Sequence, residues 1–112
     1  MIAVELAEKI SINTSETRTK IRENEIIVGS RPFMTYIRSV EILLRSKNLR
    51  HIIIRARGMN IIKAVDLTEA IKNKFCVDLK LNTHIVTSTE KFYREGNDKE
   101  FYVSIIEINL KR

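Results

Sequence analysis

Arg55, Arg57 and Lys63 surround Gly58 and Asn60 in the run Ile52-Ile53-Ile54-Arg55-Ala56-Arg57-Gly58-Met59-Asn60-Ile61-Ile62-Lys63-Ala64-Val65-Asp66. The β-branched start reads as a strand, the glycine as a tight turn, and the remainder as an amphipathic helix. A helix N-terminus carries partial positive charge, and a capping box would want an acid where Lys63 stands, three residues after the expected N-cap Asn60. A cation tolerated there points to an external anion, phosphate being the usual one. Arg55 and Arg57 alternate along the strand and project on the same face. Arg57 is expected to meet an anion, because the surrounding segment offers almost no acids. Arg55 is either a second contact or an ordinary exposed strand residue.

Other chemistry is hard to assemble. His51 and His84 lack the partners a metal site needs, and ordinary surface or core positions are expected for both. Ser30 has no evident base. Glu90 and Glu95 straddle a hairpin, where solvated charges are expected rather than an acid/base pair. The three glycines form no nucleotide cradle. The single cysteine, Cys76, rules out an internal disulfide and a cysteine metal cage, and reads as a buried inert thiol. No catalytic group, metal or cofactor is expected.

The charge is concentrated. Of a net +6, residues 31–63 hold eight basic residues, Arg31, Arg38, Arg45, Lys47, Arg50, Arg55, Arg57 and Lys63, against the single acid Glu41. Residues 1–24 are balanced, with four of each sign. Such an uneven distribution favours a polyanionic partner. Arg38 and Arg45 are expected on a solvated helix face, with Glu41 and Arg45 as a weak i,i+4 pair. Lys91, Arg94 and Lys99 are offset locally by Glu95, Asp98 and Glu100. The length and the 44% hydrophobic content suit one folded domain. No apolar run reaches the ~20 residues of a membrane span, and the start lacks a signal-peptide pattern, so a cytoplasmic protein is expected.

The elements that must position these residues follow in order. Residues 2–10 carry a weak helical pattern, and residues 11–24 read as a flexible leader, so that residues 1–24 precede a domain over residues 25–112. Residues 26–28 form a short strand ended by Gly29. Pro32 opens a helix, with Ser30 or Arg31 as cap, whose stripe is Phe33, Ile37, Val40 and Leu44. Residues 49–57 form the second strand, residues 61–75 the second helix, residues 79–90 the third strand and residues 101–110 the fourth. Glu95, Gly96, Asn97 and Asp98 mark the turn of a long hairpin. The order β-α-β-α-β-β gives a two-layer α/β sandwich. Helical crossovers between parallel strands bring the loops after strands one and two to the same sheet edge, where ligands of such sheets bind. The last strand is apolar on both faces, so a partner subunit is expected to cover one of them.

These segments resemble the Alba family of small dimeric nucleic-acid-binding proteins. The resemblance runs through Ile27-Val28-Gly29-Ser30-Arg31-Pro32-Phe33-Met34-Thr35-Tyr36, Arg55-Ala56-Arg57-Gly58, Lys63-Ala64-Val65-Asp66, Ile71-Lys72-Asn73-Lys74-Phe75 and Ser104-Ile105-Ile106-Glu107-Ile108. It implies a homodimer, or a heterodimer with a paralogue, that lies on the backbone of double-stranded DNA or RNA with its hairpins along the minor groove. The implied contacts are Ser30, Arg31, Arg55, Arg57, Gly58, Asn60, Lys63, Lys91, Arg94 and Lys99, with Phe75 either core or a contact between neighbouring dimers. Many archaeal members have Gly-Lys-Lys-Pro where this chain has Gly29-Ser30-Arg31-Pro32, and a basic residue where it has Met59. An architectural, nucleoid-associated role is expected. The alternatives are a protein subunit of a ribonucleoprotein such as a ribonuclease P-type particle, and a nucleic-acid-processing enzyme, which the missing catalytic groups disfavour.

Overall fold

The computed structural model describes residues 22–96 and 99–112; residues 97 and 98 of the expected hairpin turn, and the helical pattern and most of the leader expected over residues 1–24, lie outside them. Strand β1 is Glu25–Ile27, helix α1 Phe33–Glu41, β2 His51–Arg57, α2 Asn60–Ala70, β3 Asn82–Tyr93 and β4 Glu100–Lys111. One four-stranded sheet has the order β1-β2-β4-β3. Strands β1 and β2 are parallel. Strand β4 is antiparallel to both β2 and β3, so β3 runs in the direction of β2 on the far side of β4. The expected β-α-β-α-β-β order and layering hold.

Both helices cover one sheet face. Ile26, Val28, Ile52, Ile54, Ala56, Ile106, Ile108 and Leu110 alternate onto that face and meet Tyr36, Ile37, Val40 and Leu44 from α1 and Ala64, Leu67 and Ile71 from α2. Each helix ends in a π-helical turn, Ile42–Ser46 and Ile71–Phe75. After the second, the 3-10 turn Val77–Leu79 and Lys80, with φ +51°, carry Leu79 and Leu81 against the core. That detour uses the first residues expected of the third strand and moves β3 along the chain.

Strands β3 and β4 pair from Asn82 with Lys111 to Tyr93 with Glu100. Strand β2 stops at the Arg57–Ile105 pair, so the outer part of the hairpin, from Thr89 with Ser104 onward, stands clear of the sheet as an arm. Ile62, Val65 and Ile85 are exposed on the helix-covered side, 72%, 39% and 53% respectively. Among the described residues nothing covers this apolar strip.

Candidate nucleic-acid interface

Because β1 and β2 are parallel, the loops that follow them emerge together, as their sequence order requires. Residues 29–31 follow β1, and Gly58 and Met59 follow β2. Gly58 turns the chain at φ +52°, a conformation that favours glycine. Its N–H donates to the Ser104 carbonyl at 2.9 Å and its own carbonyl accepts from Ile61 at 3.1 Å. Met59 occupies the cap of α2 in a helical conformation and its side chain is 94% exposed. Asn60, expected as the cap, is instead the first helical residue, and no side chain caps α2. Pro32 likewise takes the cap of α1 in place of Ser30 or Arg31.

Lys63 joins the two loops. Its Nζ donates to the carbonyls of Gly29, at 2.8 Å, and Arg31, at 2.5 Å, and lies 5.1 Å from the centre of the Tyr36 ring. The cation at the start of α2 is therefore satisfied from within the chain, which removes the expected need for an external anion at that point. Tyr36 completes the clamp. Buried on the stripe of α1, its hydroxyl accepts from the N–H groups of Gly29, 2.8 Å, and Arg31, 3.2 Å. Both side chains hold the main chain of the loop, leaving Ser30 and the Arg31 side chain exposed at its tip. Sequence reasoning missed Tyr36. The signal was present, because a tyrosine on a helix's buried stripe needs a partner for its hydroxyl.

The strand arginines do share a face, the one turned away from the helices. Arg57 meets Glu90 of β3 at 3.0 Å and lies over the Phe92 ring at 5.3 Å. Glu90 is thus not a solvated charge, and the acid that pairs Arg57 comes from the hairpin rather than from its own segment. Burial lowers the pKa of Arg57, Glu90 opposes that, and Arg55 adds to the lowering. Arg55 lies between two carboxylates, Glu25 at 3.4 Å and Glu107 at 3.3 Å.

Elsewhere, Arg45 pairs with Asp78 through two hydrogen bonds, 2.7 and 3.0 Å, and with the Phe75 carbonyl at 3.1 Å. This replaces the expected bond to Glu41, since the π-helical turn re-aims the side chain. Lys91 approaches Glu100 at 3.6 Å, the expected local balance on the arm. Arg94 lies 5.5 Å from the centre of the Phe101 ring, and Lys99 is exposed. Phe75 is half-buried against the core, with Lys74 5.3 Å from its ring centre. Cys76 is buried and free, and burial raises its pKa. His51 Nε2 lies 2.8 Å from Asn109 Oδ1. No group of metal-binding side chains and no membrane-length apolar helix occurs among the described residues.

These loops and the arm can be compared with known proteins. The family model described as Alba matches residues 24–89. The DNA/RNA-binding protein Alba of Picrophilus torridus is 39% identical over 90 residues, covering 80% of this chain and 97% of the relative. Its counterpart in Thermoplasma acidophilum is 41% identical with the same coverage. The structure of Alba from Thermoplasma volcanium aligns with a TM-score of 0.68 and 39% identity over 80% of this chain and all of that one. An Alba protein of Trypanosoma brucei, 23% identical, shares the fold at a TM-score of 0.62 over 83% of this chain and 72% of its own. With a family model spanning more than half its length and relatives near 40% identity over most of it, this chain belongs to the Alba family.

Proposed function

We propose that this protein binds double-stranded DNA and RNA with little regard for sequence, as an architectural protein of the nucleoid or a stabiliser of RNA. The observation that carries the reading is the clamped basic loop: Lys63 and Tyr36 fix residues 29–31 so that Arg31 projects at the edge where the second loop also emerges. The relatives' shared name, DNA/RNA-binding protein Alba, supports it. Phosphate contacts of this kind position a protein without reading bases.

Within this reading Arg31 and the tip at Ser30 touch phosphate, Gly58 and Asn60 shape the second loop, and Lys63 acts by holding the first. Arg57 adds field strength while Glu90 restrains it, and Arg55 is neutralised by two acids. Lys91, Arg94 and Lys99 line the arm that follows the groove. The active species is a homodimer joined through Ile62, Val65 and Ile85, a strip too apolar to stay in water at the centre of such a surface. The exposed edge of Phe75 meets neighbouring dimers on the nucleic acid. Binding, not catalysis, is the activity, and it is exercised in the cytoplasm. The relatives' names lend no support to a role in a ribonuclease P-type particle.

Titration of the pure protein against DNA and RNA duplexes of equal length, with its mass measured in solution, tests this. Binding to both by a dimer is expected. A monomer, or binding that requires one defined sequence, contradicts it.

A further inference from the structure

The arm carries Phe92, Tyr93, Phe101 and Tyr102, interleaved with Lys91, Arg94 and Lys99. Alternation sends the aromatic residues to opposite faces. Phe92 and Phe101 are cross-strand partners on the face turned away from the helices, with ring centres 5.7 Å apart. Both are engaged within the chain. Arg57 lies over Phe92 at 5.3 Å and Arg94 over Phe101 at 5.5 Å, so this pair stiffens the arm.

The other face is different. Lys91 stands opposite Tyr102 and Tyr93 opposite Glu100, which makes the two tyrosines diagonal neighbours on one face. They are 46% and 63% exposed, Tyr93 and Tyr102 respectively. The Tyr102 hydroxyl donates to Glu100 Oε2 at 3.1 Å, and the Lys91 ammonium lies 3.6 Å from the same oxygen. One carboxylate thus anchors the polar tip of a ring and the cation beside it, while most of the ring stays in solvent. An exposed π face flanked by Lys91 and Arg94 suits a nucleobase whose phosphate lies against the cations. Inside a duplex the base faces are covered by their neighbours, and a groove offers only edges and sugars. These rings find a stacking partner only where nucleotides are unpaired.

We propose that Tyr93 and Tyr102 form a stacking site for unpaired nucleotides, so that the arm holds single-stranded ends, bulges and gaps beside the phosphate-binding edge. The site is continuous with that edge, because Arg57, which ends β2, reaches Glu90 and Phe92 at the base of the arm. The proposal rests on the nucleic-acid reading for its partner. It adds a ligand that phosphate contacts alone do not select, since they carry no information about the bases.

The tyrosines themselves supply the test. The chain has three tyrosines and no tryptophan, and Tyr36 is buried, so quenching of intrinsic fluorescence by stacking reports Tyr93 and Tyr102. Unstructured oligouridine and oligothymidine, titrated into the full chain, should quench this emission, and a bound duplex should quench it far less. Tyr93→Ala/Tyr102→Ala should weaken oligonucleotide binding about tenfold per ring while keeping its salt slope, because no phosphate contact is lost. Duplex affinity should change far less, and Tyr93→Trp/Tyr102→Trp should retain oligonucleotide binding. Quenching by one oligonucleotide alone upholds the stacking and names the sugar that it takes. Unchanged oligonucleotide binding in the alanine variant overturns the site, and so does an equal loss for duplex and oligonucleotide. Rings that iodide cannot reach in the free protein are covered by a partner subunit, which also overturns it. Arg31→Ala separates these failures from that of the underlying reading: if it still flattens the salt slope on duplex DNA, nucleic-acid binding stands without the stacking site.

Discussion

Arg57 of β2 and Glu90 of β3 form an ion pair at 3.0 Å across the sheet face that the helices leave open. The pair ties the end of β2 to the base of the arm and subtracts an acid's charge from the most basic part of the molecule. Removing the acid while keeping its shape frees the arginine. Glu90→Gln is therefore expected to tighten DNA binding and steepen its salt dependence by up to about 0.9 per subunit. A weaker complex from a folded variant would mean that Arg57 works only when Glu90 holds it in place.

Tyr36 offers a test without any change in charge. Its hydroxyl receives two N–H groups of the loop. Tyr36→Phe leaves them unsatisfied at a cost of about 1–3 kcal/mol, read by urea unfolding. Affinity for duplex DNA should fall while the salt slope stays the same, since no phosphate contact is removed. An altered slope would show that the loop had shifted out of reach.

Ser30 stands exposed at the loop tip. Ser30→Lys should add up to about one phosphate contact per subunit and steepen the salt slope accordingly. A serine has no ε-amino group, so an acetyltransferase should leave this position unmodified in the wild type, and modification at residue 30, read by mass spectrometry, should occur only in the lysine variant. An affinity and slope identical to wild type would place the loop away from the backbone.

Burial raises the pKa of Cys76, so the group is a protonated thiol at neutral pH. An aromatic disulfide reagent at pH 7.5 should react with it only after denaturant unfolds the chain. Rapid labelling of the native protein would contradict its burial at the end of the second helix's π-helical turn.

Much of the architecture was legible because strong local signals agreed. Ile52, Ile53 and Ile54 before Arg55 marked β2, Pro32 marked the start of α1, and the alternating residues of β4 fixed which faces were apolar. The strand boundaries were less legible. Nothing in the spacing of residues 71–80 announces a π-helical turn followed by a left-handed Lys80. The site was read partly. The convergence of the two loops follows from strand direction, but the partners of Lys63, Arg57 and Arg45 are all far along the chain. Sequence windows see only nearby acids, so Arg57 read as free when Glu90, distant in sequence, was its neighbour in space. Lys63 read as an anion ligand because backbone carbonyls leave no trace in composition.

The central claim is that loops fixed by Lys63 and Tyr36 present Arg31 to phosphate. It is tested most directly by measuring affinity for two unrelated DNA duplexes over a range of salt concentrations, for wild type and Arg31→Ala. The account predicts similar affinities for the two sequences, a linear fall of log affinity with log salt, and a slope about 0.9 shallower per subunit in the variant. A folded Arg31→Ala dimer with unchanged affinity and slope on both duplexes would contradict it.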